Sequence, residues 1–210
     1  MITGIDIVYL VTVFCSIILS MTLHEALHAF VSYWLGDDTA KMQGRLTLNP
    51  FAHIDPITTV ALPLLLVLLG APPFGAAKPV PFNPSRVRFG DYGAALVGLA
   101  GPATNLVLAL LVGVLLHVFA LALNADVVNV LTIFGLVNLS FCIFNLIPFP
   151  PLDGSRALYA VAPDVVRTVM ERIESMGFMA IVFFMVVFYA LLINPFIAIL
   201  QWASRALFGI

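Results

Sequence analysis

Five stretches of this chain, 7–23, 56–77, 92–125, 127–152 and 175–204, contain no Asp, Glu, Lys or Arg. Each is long enough to be tested against the roughly 20 residues a helix needs to cross hydrocarbon. Of the 210 residues only 10% are charged and 62% are hydrophobic, whereas soluble domains carry about 25% charged residues. The chain is therefore read as an all-α integral membrane protein. Its formal net charge of −2 gives no reason to expect nucleic acid or a polybasic surface partner. The first apolar run has no basic segment before it and leads on without a small-residue cleavage site, so it is expected to stay as a span rather than act as a removable signal. Cys15 and Cys142 are solitary within apolar runs and read as small core residues.

The expected spans differ in quality. A first helix over 5–35, closed by Gly36, would be about 46 Å long at 1.5 Å per residue, so it must tilt or protrude. Residues 37–55 contain Lys41, Arg45 and the alternating piece GRLTLNP, which reads as a loop with one or two short strands. The run 56–77 is interrupted by Pro63, Gly70, Pro72, Pro73 and Gly75 and is expected to be a re-entrant segment. Spans follow over 92–123 and 127–147, then a surface helix over 163–175, a span over 177–193 and an interfacial helix over 194–210. A re-entrant 56–77 places eight of the nine basic residues on one side, with Arg205 opposite. The positive-inside rule makes that side cytosolic, in a multi-pass protein of the cell membrane.

Within the first helix lies HEALH. Residues i and i+4 share a helix face, so His24 and His28 can address one metal ion. Glu25 sits about 100° round, within reach of a water held by that ion. A shuffled chain of this composition would show HExxH only about once in a thousand, and zinc is the metal expected. Catalytic zinc usually takes three protein ligands and leaves a position for water. Asp153 is the natural third, since the topology puts it on the same side and Pro148, Pro150 and Pro151 unwind the chain before it. An N-cap role for Asp153 on the following helix is the ordinary alternative.

HEALH on a membrane helix, AGPATN in a later span and NLIPFPPLDG in the next resemble the three signatures of the site-2 protease family of intramembrane zinc metalloproteases. The match covers about residues 10–160, on the compact pattern that lacks an inserted PDZ domain. The resemblance implies a multi-span helical bundle around a buried zinc, with His24, His28 and Asp153 as ligands and Glu25 as catalytic base. It also implies that Asn145 contacts substrate or stabilises the oxyanion. The substrate would be a transmembrane protein cut within or next to its membrane segment.

Three polar residues leave two readings each. Asn105 either packs helices or reaches the site; His53 either approaches the zinc cavity or is satisfied within its loop; Asn138, seven residues before Asn145, either joins the site or packs. His117 reads as interfacial or packed. The whole chain, 1–210, is expected to form a single membrane-embedded domain, with a core over 5–160 and a C-terminal span and interfacial helix over 161–210. A non-proteolytic scaffold or chaperone of the same fold is the alternative function. A transporter is disfavoured, because no internal repeat and few acidic residues are present.

Overall fold

A polar stripe runs down the first helix at four-residue intervals: Ser16, Ser20, His24, His28 and Ser32, all buried. Four-residue spacing keeps these side chains on one face, and in hydrocarbon such a face turns inward because lipid cannot satisfy it. That helix, α1 (Ile7–Trp34), belongs to a computed structural model of the chain that describes residues 7–61, 64–65, 77–119 and 121–209. Further helices are α2 (Thr39–Met42), α3 (Asp91–Phe119), α4 (Ala125–Asn145), α5 (Gly154–Val161), α6 (Asp164–Ser175), α7 (Phe178–Val187) and α8 (Ile193–Phe208).

Among the described residues, four helical stretches are long and apolar enough to cross a membrane: α1, α3, α4 and Met179–Phe208. The chain is thus a multi-pass helical membrane protein. In the centre is α3, which packs against α1, α4, α5 and α8. Its Ala109, Val112 and Leu116 meet Leu139 and Phe208 in one core cluster, while Val13, Ile17 and Met21 of α1 pack on Ile133, Val137 and Phe141 of α4 in another. Helices α1 and α3 run antiparallel, since His28 lies beside Val97 and His24, one turn earlier, beside Asn105. The C-terminal end of α1 meets the segment leading into α3, where Arg88 N–H donates to Leu35 O at 2.8 Å. Asp91 at the start of α3 pairs with Arg167 of α6 at 2.7 Å.

Gly36 ends α1 with φ +107°, a conformation that side chains with a Cβ resist. The N–H groups of Gly36 and Asp37 then bond back to Tyr33 O and Ser32 O, the Schellman pattern. Asp37 is fully buried. Its carboxylate accepts from Thr39 N–H (3.1 Å), Thr39 Oγ1 (2.5 Å) and Asn83 N–H (2.6 Å), tying α1 to the extended segment 77–83.

One expectation is corrected. Residues 36–55 contain no strand; they form α2, turns and a 3-10 turn at Pro50–Ala52. The alternation of GRLTLNP finds no partner strand because side chains take the backbone groups instead. Arg45 Nη1 bonds Ala52 O, His53 Nε2 donates to Thr47 O at 2.9 Å, and Asn49 Oδ1 accepts from Phe51 N–H at 3.1 Å. At 194, where an interfacial helix is expected to begin, the helix is continuous with the one before it. A π-turn at Phe188–Leu192 carries α7 directly into α8, and Pro195 falls in the first turn of α8, where a missing N–H is tolerated. Of the 56–77 run, Pro56–Ala61 is a π-helical turn. Residues 62–63 and 66–76, on which the re-entrant reading chiefly falls, lie outside the described residues.

Candidate metal centre

His24 and His28 present their Nε2 atoms to the same carboxylate oxygen. Asp153 Oδ2 is 3.0 Å from His24 Nε2 and 3.4 Å from His28 Nε2, and one ligand atom from each of the three residues lies within 4.8 Å of the others. Both histidines are buried, as four-residue spacing on the inward face of α1 requires. The rings meet edge-on with centroids 4.7 Å apart.

Asp153 arrives from the opposite side through a tight reversal. Below the end of α4 the chain folds back over 146–153, and a Cβ at Gly154 would lie 2.4 Å from Leu146 O. The LDG glycine is therefore dictated by space. Asp153 occupies the N-cap position of α5 but makes no side-chain capping bond. Its carboxylate faces the histidines instead, so the capping alternative does not describe where its oxygens go.

The residues fit a zinc ion on three observations. First, zinc–nitrogen and zinc–oxygen bonds of about 2.0–2.2 Å in a tetrahedron put neighbouring ligand atoms roughly 3.3–3.5 Å apart, close to the two spacings seen. Second, His28 Nε2 is buried without a hydrogen-bond partner, which is costly unless something else occupies its lone pair. Its other nitrogen, Nδ1, lies 2.7 Å from Val97 O. A carbonyl only accepts, so Nδ1 carries the proton and Nε2 the lone pair that a metal needs. Third, α3 leaves room at this place: a Cβ at Gly101 would lie 2.4 Å from both Nε2 atoms.

Glu25 Oε2 accepts from the backbone N–H of Val80 at 2.9 Å. Val80 stands between Pro79 and Pro81, which have no N–H, so it is the one backbone donor of that tripeptide. The segment is held from its other end by His53, whose carbonyl accepts from Lys78 N–H at 2.9 Å. His53 is itself buried and bonded to Thr47. It lies outside the three-residue group, and the structure connects it to Glu25 by way of residues 78–80.

Asn105 comes from α3, one turn after Gly101, and its Oδ1 lies 2.5 Å from His24 Nδ1. Asn138 of α4 bonds Asn105 in turn, at 2.8 Å. Asn145 at the end of α4 is partly exposed and its Nδ2 donates to Phe141 O at 3.1 Å, within its own helix. His117 bonds Gly113 O, also in its own helix. Sequence reasoning missed Gly101 and Val80 as neighbours of the site. AGPATN carried the signal for the first, and the flanking prolines of PVP carried it for the second.

This is a helical membrane protein whose spans converge on a candidate HExxH metal centre. The model of peptidase family M50 matches residues 117–188, a stretch that contains Asp153. A Bacillus subtilis protein named as a zinc metalloprotease, YwhC, is 38% identical over 194 residues, covering 89% of this chain and 82% of its own. Rip2 of Mycolicibacterium smegmatis, also named as a zinc metalloprotease, is 32% identical over 186 residues, covering 88% of this chain and 67% of its own. Rip2 of Mycobacterium tuberculosis is 31% identical over 190 residues, covering 88% and 70%. No solved structure matches the chain significantly. The chain belongs to peptidase family M50, the site-2 protease family.

Proposed function

We infer that this protein is an intramembrane zinc endopeptidase that hydrolyses peptide bonds within or next to transmembrane segments of other membrane proteins. The observation that carries this reading is the convergence of His24, His28 and Asp153 on one point beside Gly101, in a chain of the M50 family.

His24, His28 and Asp153 are the proposed zinc ligands and Glu25 the proposed base. A zinc ion held by these residues would lower the pKa of a bound water and polarise the scissile carbonyl. Glu25 takes the proton from the attacking water and passes it to the leaving nitrogen. The Val80 N–H orients the carboxylate for that transfer, and His53 holds the Val80 segment in place. Asn105 supports His24 rather than substrate, since its oxygen is engaged by the imidazole. Asn145, at the mouth of the reversal that delivers Asp153, is the proposed substrate or oxyanion contact.

The eight basic residues Lys41, Arg45, Lys78, Arg86, Arg88, Arg156, Arg167 and Arg172 support a cytosolic placement of the site in the cell membrane, with 56–77 re-entrant. Residues 1–210 act as one membrane-embedded domain in the lipid bilayer, with a transmembrane protein as partner. A scaffold without proteolysis is not favoured, because Glu25 and all three ligand-type residues are present.

The test is to purify the chain in detergent, measure bound zinc, and incubate it with a membrane-anchored test protein. The expected result is about one zinc per chain and a new terminus inside or beside the substrate's apolar segment. Absence of zinc, or zinc without cleavage across varied substrates, would overturn the reading.

A further inference from the structure

We propose that Asn138, one side chain removed from the ligand group, sets the tautomer of His24 through Asn105 and so decides whether His24 can hold zinc. This rests on the metal-centre reading above and deepens it. Asn138 and Asn105 are both completely buried, so neither amide can be satisfied by water and each orientation must be settled by its neighbours.

The chain of bonds begins at a group with no choice. Phe134 O is a backbone carbonyl and can only accept, so the Asn138 atom that meets it at 2.9 Å is the donor Nδ2. Asn138 Oδ1 therefore points the other way, and it too can only accept. The Asn105 atom 2.8 Å from it must be Nδ2. That turns Asn105 Oδ1 to His24, where the separation is 2.5 Å. The proton consequently sits on His24 Nδ1, which leaves Nε2, 3.0 Å from Asp153 Oδ2 and beside Gly101, as the nitrogen whose lone pair a zinc ion would take in exchange for a proton. Flipping either amide alone would set two donors or two acceptors face to face in a dry site, which costs about 1–3 kcal/mol per unmet group.

The two histidines thus reach the same tautomer by unequal routes. His28 is fixed directly by Val97 O. His24 is fixed by a carbonyl of a different helix, relayed across α3 by two amides. Asn138 is a positioning residue that makes α4 part of the metal centre although it supplies no ligand to it.

Zinc affinity, measured by chelator competition on the purified full-length chain, tests this, with the visible spectrum of the cobalt-loaded protein as a second readout. Asn138→Leu removes the acceptor for Asn105 and frees that amide to flip, so zinc should bind about 10- to 100-fold more weakly and the cobalt spectrum should change. In Asn138→Asp the buried carboxyl is kept neutral by desolvation, donates to Phe134 O and accepts from Asn105, so affinity should stay within about threefold of wild type. Wild-type affinity and spectrum in a folded Asn138→Leu, or equal losses in both variants, would overturn the proposal. Should Asn138→Leu not fold, nitrogen-15 spectra of the histidines in the zinc-stripped wild-type chain decide it: a proton on His24 Nδ1 supports the relay and an unprotonated Nδ1 overturns it. A wild-type chain that binds no zinc would instead remove the metal-centre reading itself.

Discussion

The backbone N–H of Val80 donates to Glu25 Oε2 across 2.9 Å, so the proposed base is oriented by a segment 55 residues away in the chain. Val80→Pro removes that donor, and a residue that precedes proline already favours the extended region in which proline is tolerated. A hydrogen bond to a charged group contributes about 1.5–3 kcal/mol, so cleavage of a membrane-anchored substrate should slow by about tenfold or more. Zinc content should be unchanged. Val80→Ala keeps the N–H and should cleave at nearly the wild-type rate. Equal rates for the proline and alanine variants would show that the contact does not orient Glu25.

Gly101→Ala places a methyl 2.4 Å from the Nε2 atoms of both His24 and His28, well inside van der Waals contact. Alanine favours a helix over glycine by about 1 kcal/mol, so α3 itself gains nothing by keeping glycine. The loss should fall on the metal: the two imidazoles must shift to admit the methyl, so a folded variant should bind zinc about 10- to 100-fold more weakly. Metal analysis after dialysis measures it. Full zinc occupancy in this variant would mean that the ion is held elsewhere.

Much of this was legible in the sequence because hydrocarbon makes polar residues informative. HEALH, Asp153 and the polar residues of the later spans stood out against apolar runs, and the helix bounds near Gly36, Asn145 and Ser175 followed from breakers and charges. The strand expected in GRLTLNP was not formed, since alternation says nothing about whether a partner strand exists. Arg45, Asn49 and His53 satisfy that loop internally. Val80 could not be weighted from its side chain, because its contribution is a backbone N–H. The role of Asn105 needed three-dimensional contact to separate support of His24 from contact with substrate.

Asp37 gives the fold a pH dependence distinct from that of the site. Burial alone would raise its pKa, but hydrogen bonds from Thr39 and Asn83 outweigh burial and hold it below the ordinary 3.8. A group with a depressed folded-state pKa contributes stability above its unfolded value, and that stability is lost as pH falls through the folded one. The melting temperature should therefore drop on acidification below about pH 4. Asp37→Asn should melt lower at pH 7 and show a shallower fall with acid, as read by circular dichroism in detergent. Identical melting curves for the two proteins at pH 7 and pH 3 would contradict this account of how the end of α1 is anchored.

The central claim, hydrolysis at a zinc held by His24, His28 and Asp153 with Glu25 as base, is tested most directly by one comparison. Wild type and Glu25→Gln, brought to equal zinc occupancy, are each given the same membrane-anchored substrate and the initial rates of cleavage are measured. Glutamine keeps the shape of the side chain but cannot take a proton, so the account predicts retained zinc and a rate lower by about 100-fold or more. Cleavage by Glu25→Gln at the wild-type rate would contradict it.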